Sequence, residues 1–148
     1  MKKIFILMLA FGLFDVSASQ DPFVMDTYLT LVNNHRAKLG MRPVEPSPHI
    51  EKVAVDHSRQ MARGRQFFGH TGWKQRCGEI KEKMGHGNLC GEIIARGQKN
   101  AHAVFRAWLN SPPHRQVIEG RRYTHTGLGY YKDLKGTINW TQLFLELR

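Results

Sequence analysis

Two stretches in the C-terminal third decide the fold, Thr126-Gly-Leu-Gly-Tyr-Tyr131 and Thr137-Ile-Asn-Trp-Thr-Gln-Leu-Phe-Leu-Glu-Leu147. In the second stretch Ile138, Trp140 and Phe144 lie two or four positions apart, which puts them on one face of a strand. The five residues between the stretches, 132–136, suit the loop of a hairpin. We therefore predict two paired strands joined by a short turn.

The chain before these stretches has helical periodicity. Apolar spacing predicts helices that begin at Phe23, Pro48, Trp73 and Ala101 and that end before Gly40, Gly64, Gly85 and Ser111. Ser47 and Asn100 are expected to cap the second and fourth helices with their side chains. The Pro112-Pro113 pair is expected to end the fourth helix, because a residue before proline is pushed out of the helical region.

The order of the predicted elements bounds the architecture. One further strand is expected over 89–95, between the third and fourth helices. Gly127 and Gly129 lie on one side of their strand, where they either admit another backbone or mark a bulge. Helices first, then a strand, a helix and a hairpin, predict an α+β or layered α/β/α domain with a mostly antiparallel sheet.

Residues 1–19 have the pattern of a secretory signal peptide. Lys2 and Lys3 precede an apolar run of 11 residues, 4–14, which is too short to span a bilayer, and small residues follow it. A short N-terminal membrane anchor is the alternative. We expect residues 20–148 to form one secreted or periplasmic domain, with no transmembrane segment in the mature chain.

The chain is strongly basic, with a formal net charge of +10 over its 148 residues. An exported basic protein suits an anionic envelope surface, such as phospholipid headgroups, polymers or acidic glycans. The basic residues are scattered and form no recognisable nucleic-acid motif, so nucleic acid is not an expected partner. Solubility alone is the simpler interpretation of the charge. A monomer is expected.

Two cysteines, Cys77 and Cys90, are candidates for a disulfide, because export places them in an oxidising compartment. The bridge would close a loop of 14 residues and stabilise the fold by roughly 3 kcal/mol. A zinc site that uses His86 is an alternative, although the spacing Cys-x8-His-x3-Cys matches no common zinc module. Two unpaired buried thiols are the third possibility.

Three polar residues that lie far apart in the sequence are candidates for one functional site: His70, Glu92 and His114. Two imidazoles and a carboxylate suit a divalent cation such as Zn²⁺, or a proton-transfer site. Glu92 is then a metal ligand, an acceptor that orients a histidine, or a catalytic base acting on bound water. The alternative is a polar network that satisfies its own buried groups and holds the loops together. His57, on the apolar face of the second helix, is interpreted as a core residue.

Several segments carry a family resemblance: Leu31-Val-Asn-Asn-His-Arg-Ala-Lys-Leu-Gly40, Ala54-Val-Asp-His-Ser-Arg-Gln-Met-Ala62, Phe68-Gly-His-Thr-Gly72, Cys90-Gly-Glu-Ile-Ile-Ala-Arg-Gly97, Trp108-Leu-Asn-Ser-Pro-Pro-His-Arg115, Thr126-Gly-Leu-Gly-Tyr130 and Trp140-Thr-Gln142. In this order they resemble the bacterial branch of the CAP superfamily (cysteine-rich secretory proteins, antigen 5 and pathogenesis-related 1 proteins), also called the SCP domain. The resemblance covers about residues 25–147. It implies a three-layer α-β-α sandwich with a central, mostly antiparallel sheet and a large cleft.

Many CAP proteins line this cleft with two histidines and two glutamates, and the resemblance assigns His70, Glu92 and His114 to three of the four positions. The second glutamate usually follows the tryptophan of the fourth helix, but residues 109–111 are Leu-Asn-Ser here. This departure puts any mechanism with two carboxylates in doubt.

Other positions take roles from their residue type and place in the sequence, or from the same resemblance. Asn110, Ser111 and His125 are expected at the rim of the cleft. Asn33 and Arg36 match the family's first motif and are three positions apart on a helix, so they share a side of it. We interpret this pair as structural, tying the first helix to the edge of the sheet.

Three functions are compatible with these residues. The resemblance favours a binding module for a lipid, sterol or envelope polymer, with the cleft as a site that depends on a cation or a ligand. The second function is a metal-assisted, peptidase-like hydrolase acting in the cell envelope. The third is an interaction protein whose cleft is vestigial. Chelator-sensitive turnover that needs Glu92 would separate the hydrolase from the other two.

Overall fold

The computed structural model of the chain describes residues 20–85 and 87–147. The predicted signal peptide, 1–19, therefore lies outside the described residues, and so does the zinc candidate His86. Five helices and four strands lie within the described residues: α1 (Pro22–Lys38), β1 (Glu45–Pro46), α2 (Pro48–Ala62), α3 (Trp73–Lys83), β2 (Cys90–Arg96), α4 (Ala101–Leu109), α5 (Pro112–Ile118), β3 (His125–Lys132) and β4 (Ile138–Leu145). In this part of the chain no helix is both long and apolar enough to cross a bilayer.

The four strands form one mixed sheet in the order β1-β3-β4-β2. β4 pairs antiparallel with both β3 and β2, and the two residues of β1 run parallel to β3. The hairpin and the mostly antiparallel sheet are therefore confirmed. β2 is an edge strand of this sheet, so loops and helices rather than another strand of the sheet lie beside its outer side.

Helices cover both faces of the sheet and make two cores. On one face α1, α4 and α5 pack against Ile93, Trp140 and Phe144. On the other face α2 and α3 pack against Leu143 and Leu145. Neighbouring residues of a strand point to opposite faces, so the odd and even positions of β4 serve different cores. The three-layer α-β-α sandwich is confirmed.

Local signals explain most of the helix starts. Ser47 accepts a hydrogen bond from the backbone N–H of Ile50, and Asn100 accepts one from Ala103, as expected for caps. α5 was not expected, because the Pro112-Pro113 pair was interpreted only as the end of α4. Proline is also tolerated in the first turn of a helix, where its missing N–H is not needed. The two-residue β1 has no periodicity from which to predict it.

Asn33 and Arg36 fasten α1 to the segments beside it. The Asn33 side chain donates to the carbonyl of Val44 at 3.0 Å and accepts from its N–H at 2.9 Å. Arg36 is fully buried and donates to four backbone carbonyls, those of Arg42, Ile118, Gly120 and Tyr123. Its burial lowers the pKa of the guanidinium. These contacts agree with a structural role for the pair.

Candidate functional site

Glu92 is the centre of a buried polar cluster beside the edge of the sheet. It lies on β2, where Ile93 and Ala95 face the α1/α4 core, so Glu92 points to the α2/α3 face. Only 1% of its side chain is exposed. A carboxylate buried to this degree needs charged or hydrogen-bonding partners.

Arg76, on α3, is the main partner of Glu92. Its Nε donates to Glu92 Oε2 at 2.7 Å and its Nη2 donates to Glu92 Oε1 at 2.8 Å, so the two planar groups meet in a bidentate pair. The Arg76 Nη1 also donates to the carbonyl of Thr71 at 2.7 Å. Arg76 therefore neutralises Glu92 and holds the loop that carries His70.

His70 reaches the same carboxylate from the loop between α2 and α3. Its Nδ1 lies 2.8 Å from Glu92 Oε1, while 52% of the His70 side chain stays exposed. Since the carboxylate accepts, the proton of a neutral His70 is on Nδ1. Its Nε2 then carries the free lone pair.

His57, interpreted from the sequence as a core residue, anchors this loop from α2. It is buried, with Nδ1 3.1 Å from Gln66 Oε1 and Nε2 3.0 Å from the carbonyl of Gly69. Burial lowers the pKa of His57, and the nearby charge of Arg76 lowers it further. The contact with Gly69 fixes the residue next to His70. A cavity of about 150 Å³ between α2 and α3 is lined by His57, Gln66 and Arg76.

His114 approaches from the opposite helical layer. It lies on α5, which contacts β2, and its Nδ1 is 2.7 Å from the hydroxyl oxygen of Ser111. The pKa of His114 is lowered first by burial and then by the charge of His70. The structure thus brings His70 and Glu92 into contact and places His114 within electrostatic range of His70.

The predicted rim residues do not all lie together. Ser111 contacts His114. Asn110 lies between the end of α4 and Ser111. His125 lies on β3, which β4 separates from β2, and its ring nitrogens face Thr124 and Glu45. The structure therefore separates His125 from the cluster.

The donor set fits a metal only in part. The oxygens of Glu92 are already taken by Arg76 and His70, which leaves the carboxylate poorly placed as a ligand. Among the described residues, no group of three or more His, Cys, Asp or Glu is arranged to hold a metal ion. Neutral imidazole is a ligand type that divalent cations such as Zn²⁺ accept. The ligand and base roles of Glu92 remain predictions, and its contacts favour the acceptor that orients His70.

Cys77 and Cys90 are free thiols that lie close enough to interact. Burial raises the pKa of Cys90 well above its usual range, and a hydrogen bond with Cys77 raises it further. Each cysteine is close in sequence to a member of the cluster, Cys77 to Arg76 and Cys90 to Glu92. The pair thus joins the two elements that carry the Arg76–Glu92 ion pair.

Arg76 is the site residue that the sequence analysis missed. The apolar stripe of α3 was identified, but the arginine within it was not. Arg76 lies three positions after Trp73 and four before Ile80, so it belongs to the same buried side of α3. An arginine on the inward side of a helix was therefore a usable signal for a buried carboxylate.

Comparison with known proteins identifies the family. The model of the cysteine-rich secretory protein family, CAP, matches residues 29–144. The chain belongs to the CAP family. YkwD of Bacillus subtilis (strain 168) is a relative of this chain, 34% identical over an alignment of 119 residues that covers 78% of this chain and 44% of YkwD. This CAP chain therefore spans less than half the length of YkwD.

Solved structures share the CAP fold. An extracellular protein containing a SCP domain from Bacillus anthracis str. Ames superposes with a TM-score of 0.73 at 23% identity, over 86% of this chain and 41% of that one. An outer surface protein of Borrelia burgdorferi gives a TM-score of 0.70 at 25% identity, over 83% of this chain and 92% of its own.

Proposed function

We propose that this CAP protein is an exported binding module for a lipid, sterol or envelope polymer, and that His70 and His114 hold a divalent cation at the ligand site. Export is inferred from the predicted signal peptide, 1–19. It is supported by the extracellular and outer-surface descriptions of two structural neighbours. A monomer remains part of the proposal.

One observation carries this proposal: His70 is oriented through Nδ1 by a buried carboxylate while half of its side chain faces solvent. A carboxylate that accepts from one ring nitrogen of a histidine makes the other nitrogen a better metal ligand. Burial lowers the pKa of His114, which favours the neutral ring that a metal ligand must be. A bound cation would supply positive charge for an anionic group of the ligand.

The same contacts weigh against the hydrolase. A general base needs a free carboxylate within reach of the water that it activates. Glu92 is buried and bidentate to Arg76, so it would have to leave an ion pair before it could take up a proton. The binding module needs no such change, and it is the function that the geometry supports best.

Zinc titration by calorimetry tests the cation site. Zinc is the first cation to test, because the crystal structure of a fold relative, NaASP2, was determined with Zn²⁺. We expect wild-type protein to bind one equivalent, and we expect His70→Ala or His114→Ala to remove detectable binding. Glu92→Gln should weaken binding by about 10- to 100-fold, as is usual when the group that orients a ligating histidine is changed.

His102→Ala is the matched control for the titration, because His102 is an exposed histidine on α4. It should bind zinc like the wild type. Zinc binding that survives both cluster variants would remove the ligand assignment. Chelator-sensitive hydrolysis that disappears in Glu92→Gln would show that the protein is the hydrolase and not the binding module.

We also propose that Cys77 and Cys90 form a disulfide after export. Each thiol loses a proton and an electron, and a thiol–disulfide oxidant of the compartment is reduced to two thiols in exchange. We expect the exported protein to be lighter by two hydrogen atoms than its reduced form in mass spectrometry. Reduction should lower the free energy of unfolding by about 3 kcal/mol.

A Cys77→Ser/Cys90→Ser variant controls the disulfide experiment. Its stability should not respond to the reductant, whereas that of the wild type should fall. Two titratable thiols in the denatured, exported protein would show that the pair stays reduced, and the proposal would then be wrong.

A further inference from the structure

Three large apolar side chains are exposed in two neighbouring loops. Phe67 and Phe68, in the loop after α2, are 91% and 44% exposed, and Leu134 in the β3–β4 hairpin loop is fully exposed. None of the three belongs to either core. Exposed apolar side chains that occur together mark an interaction site more often than single ones do.

The sheet register brings these two loops to the same end of the molecule. Arg96, the last residue of β2, pairs with Asn139 at the start of β4, directly after the hairpin loop. The guanidinium of Arg96 lies over the ring of Phe68 at 4.8 Å. The guanidinium of Arg63, directly after α2, lies 5.5 Å from the ring centre of Tyr131 and donates to its hydroxyl at 3.2 Å.

We call residues 63–68, Arg96 and residues 132–136 the basic end. It contains five basic side chains, Arg63, Arg65, Arg96, Lys132 and Lys135, and one acidic side chain, Asp133. The Asp133 carboxylate accepts from the backbone N–H groups of Lys135 and Thr137 at 2.9 Å, so it shapes the turn. The residues of the basic end therefore carry a formal net charge of +4.

The composition of the basic end favours a bilayer over a protein partner. Lysine is depleted from protein interfaces relative to the rest of the surface. Here Lys132 and Lys135, both exposed, flank Leu134 in the chain. Aromatic and aliphatic side chains can enter the boundary between headgroups and acyl chains while arginine and lysine stay among the phosphates.

We infer that the basic end docks the protein on anionic phospholipid membranes, with Phe67, Phe68 and Leu134 inserted and the surrounding cations bound to headgroup phosphates. This inference rests on the export and lipid binding of the proposed function and names the face that makes the contact. It does not depend on the cation site, because the basic end includes neither His70 nor His114. The bound orientation would leave His70 beside the membrane surface, since its loop continues from Phe68.

Vesicle flotation tests the inference on the protein as an expression host exports it. Mass spectrometry determines the N-terminus of that exported form. The probes are vesicles of equal phosphatidylglycerol and phosphatidylcholine, and vesicles of phosphatidylcholine alone. We expect binding to the anionic vesicles, weakened at least about tenfold by high salt because salt screens surface charges. Phe67→Ser/Leu134→Ser should lower partitioning at least about tenfold. Lys132→Glu/Lys135→Glu should lower it by about 100-fold or more at low salt, since each cation near the surface contributes about fivefold.

Matched variants at the other end of the molecule are the controls. Leu39→Ser changes an exposed apolar residue that follows α1, and Lys38→Glu/Lys83→Glu makes the same change in net charge as the hairpin variant. Both should bind anionic vesicles about as well as the wild type once the general effect of net charge on vesicle binding is subtracted. Circular dichroism on every variant checks that it folds.

Three results would overturn the inference. The first is a wild-type protein that does not bind anionic vesicles. The second is an equal loss of binding in the basic-end variants and in the controls. The third is a dimer in sedimentation that depends on the exposed apolar side chains. His70→Ala/His114→Ala should keep vesicle binding, and the basic-end variants should keep zinc binding. The failure of either proposal is therefore distinguishable from the failure of the other.

Discussion

Arg76→Met should lower the free energy of unfolding by about 3–5 kcal/mol, because it leaves Glu92 buried without its counter-charge. The two groups are bonded at 2.7 and 2.8 Å, and the Glu92 side chain is almost inaccessible to water. The variant also removes the bond from Arg76 to the carbonyl of Thr71, so the His70 loop loses a contact. Urea denaturation followed by tryptophan fluorescence measures the change.

Two further variants isolate the buried charge as the cause. Arg76→Met/Glu92→Met removes both charges, and we expect it to recover much of the lost stability, as apolar replacements of buried pairs often do. Arg115→Met breaks an exposed pair with Glu119 and should change stability by less than about 1 kcal/mol. A double variant as unstable as Arg76→Met would show that lost packing, rather than the unpaired carboxylate, causes the effect.

Periodic and capping signals predicted most of the fold. Strand alternation at Ile138, Trp140 and Phe144 placed β4, and the side-chain oxygens of Ser47 and Asn100 placed two helix starts. Elements too short to show a period, such as β1 and α5, were missed. A helix as short as α5 is unstable on its own, so its existence depends on tertiary contacts.

The candidate site was less accessible to local reasoning. No sequence spacing relates His70, Glu92 and His114, which come from a loop, a strand and a helix, so residue type and the family resemblance made them candidates without showing that they meet. Arg76 was missed because a charged residue on a surface helix is usually solvated. The exposure of Phe67 and Leu134 was also unpredictable, since an apolar residue in a loop does not reveal whether it is covered.

Gly129→Ala should destabilise the protein by more than about 3 kcal/mol, because α2 lies directly on β3 at this point. A Cβ at Gly129 would come within 2.5 Å of the Cα of Val55 and would overlap backbone atoms of α2. Backbone cannot move aside as the end of a flexible side chain does, so α2 would have to shift off the sheet. The core residues on the buried side of α2 would then be partly uncovered. They are Ile50, Val53 and Ala54. A thermal and urea unfolding series measures the loss.

Gly78→Ala is the matched control, because Gly78 lies within α3 and a Cβ there meets no other atom within 4 Å. Alanine in a helix is favoured over glycine by about 0.5–1 kcal/mol, so this variant should be slightly more stable than the wild type. The same chemical change thus has opposite signs at two glycines, and the approach of α2 to β3 accounts for the difference. A Gly129→Ala variant as stable as the wild type would mean that α2 does not lie on β3 as described, and the loop that follows α2 to His70 would lose its fixed position as well.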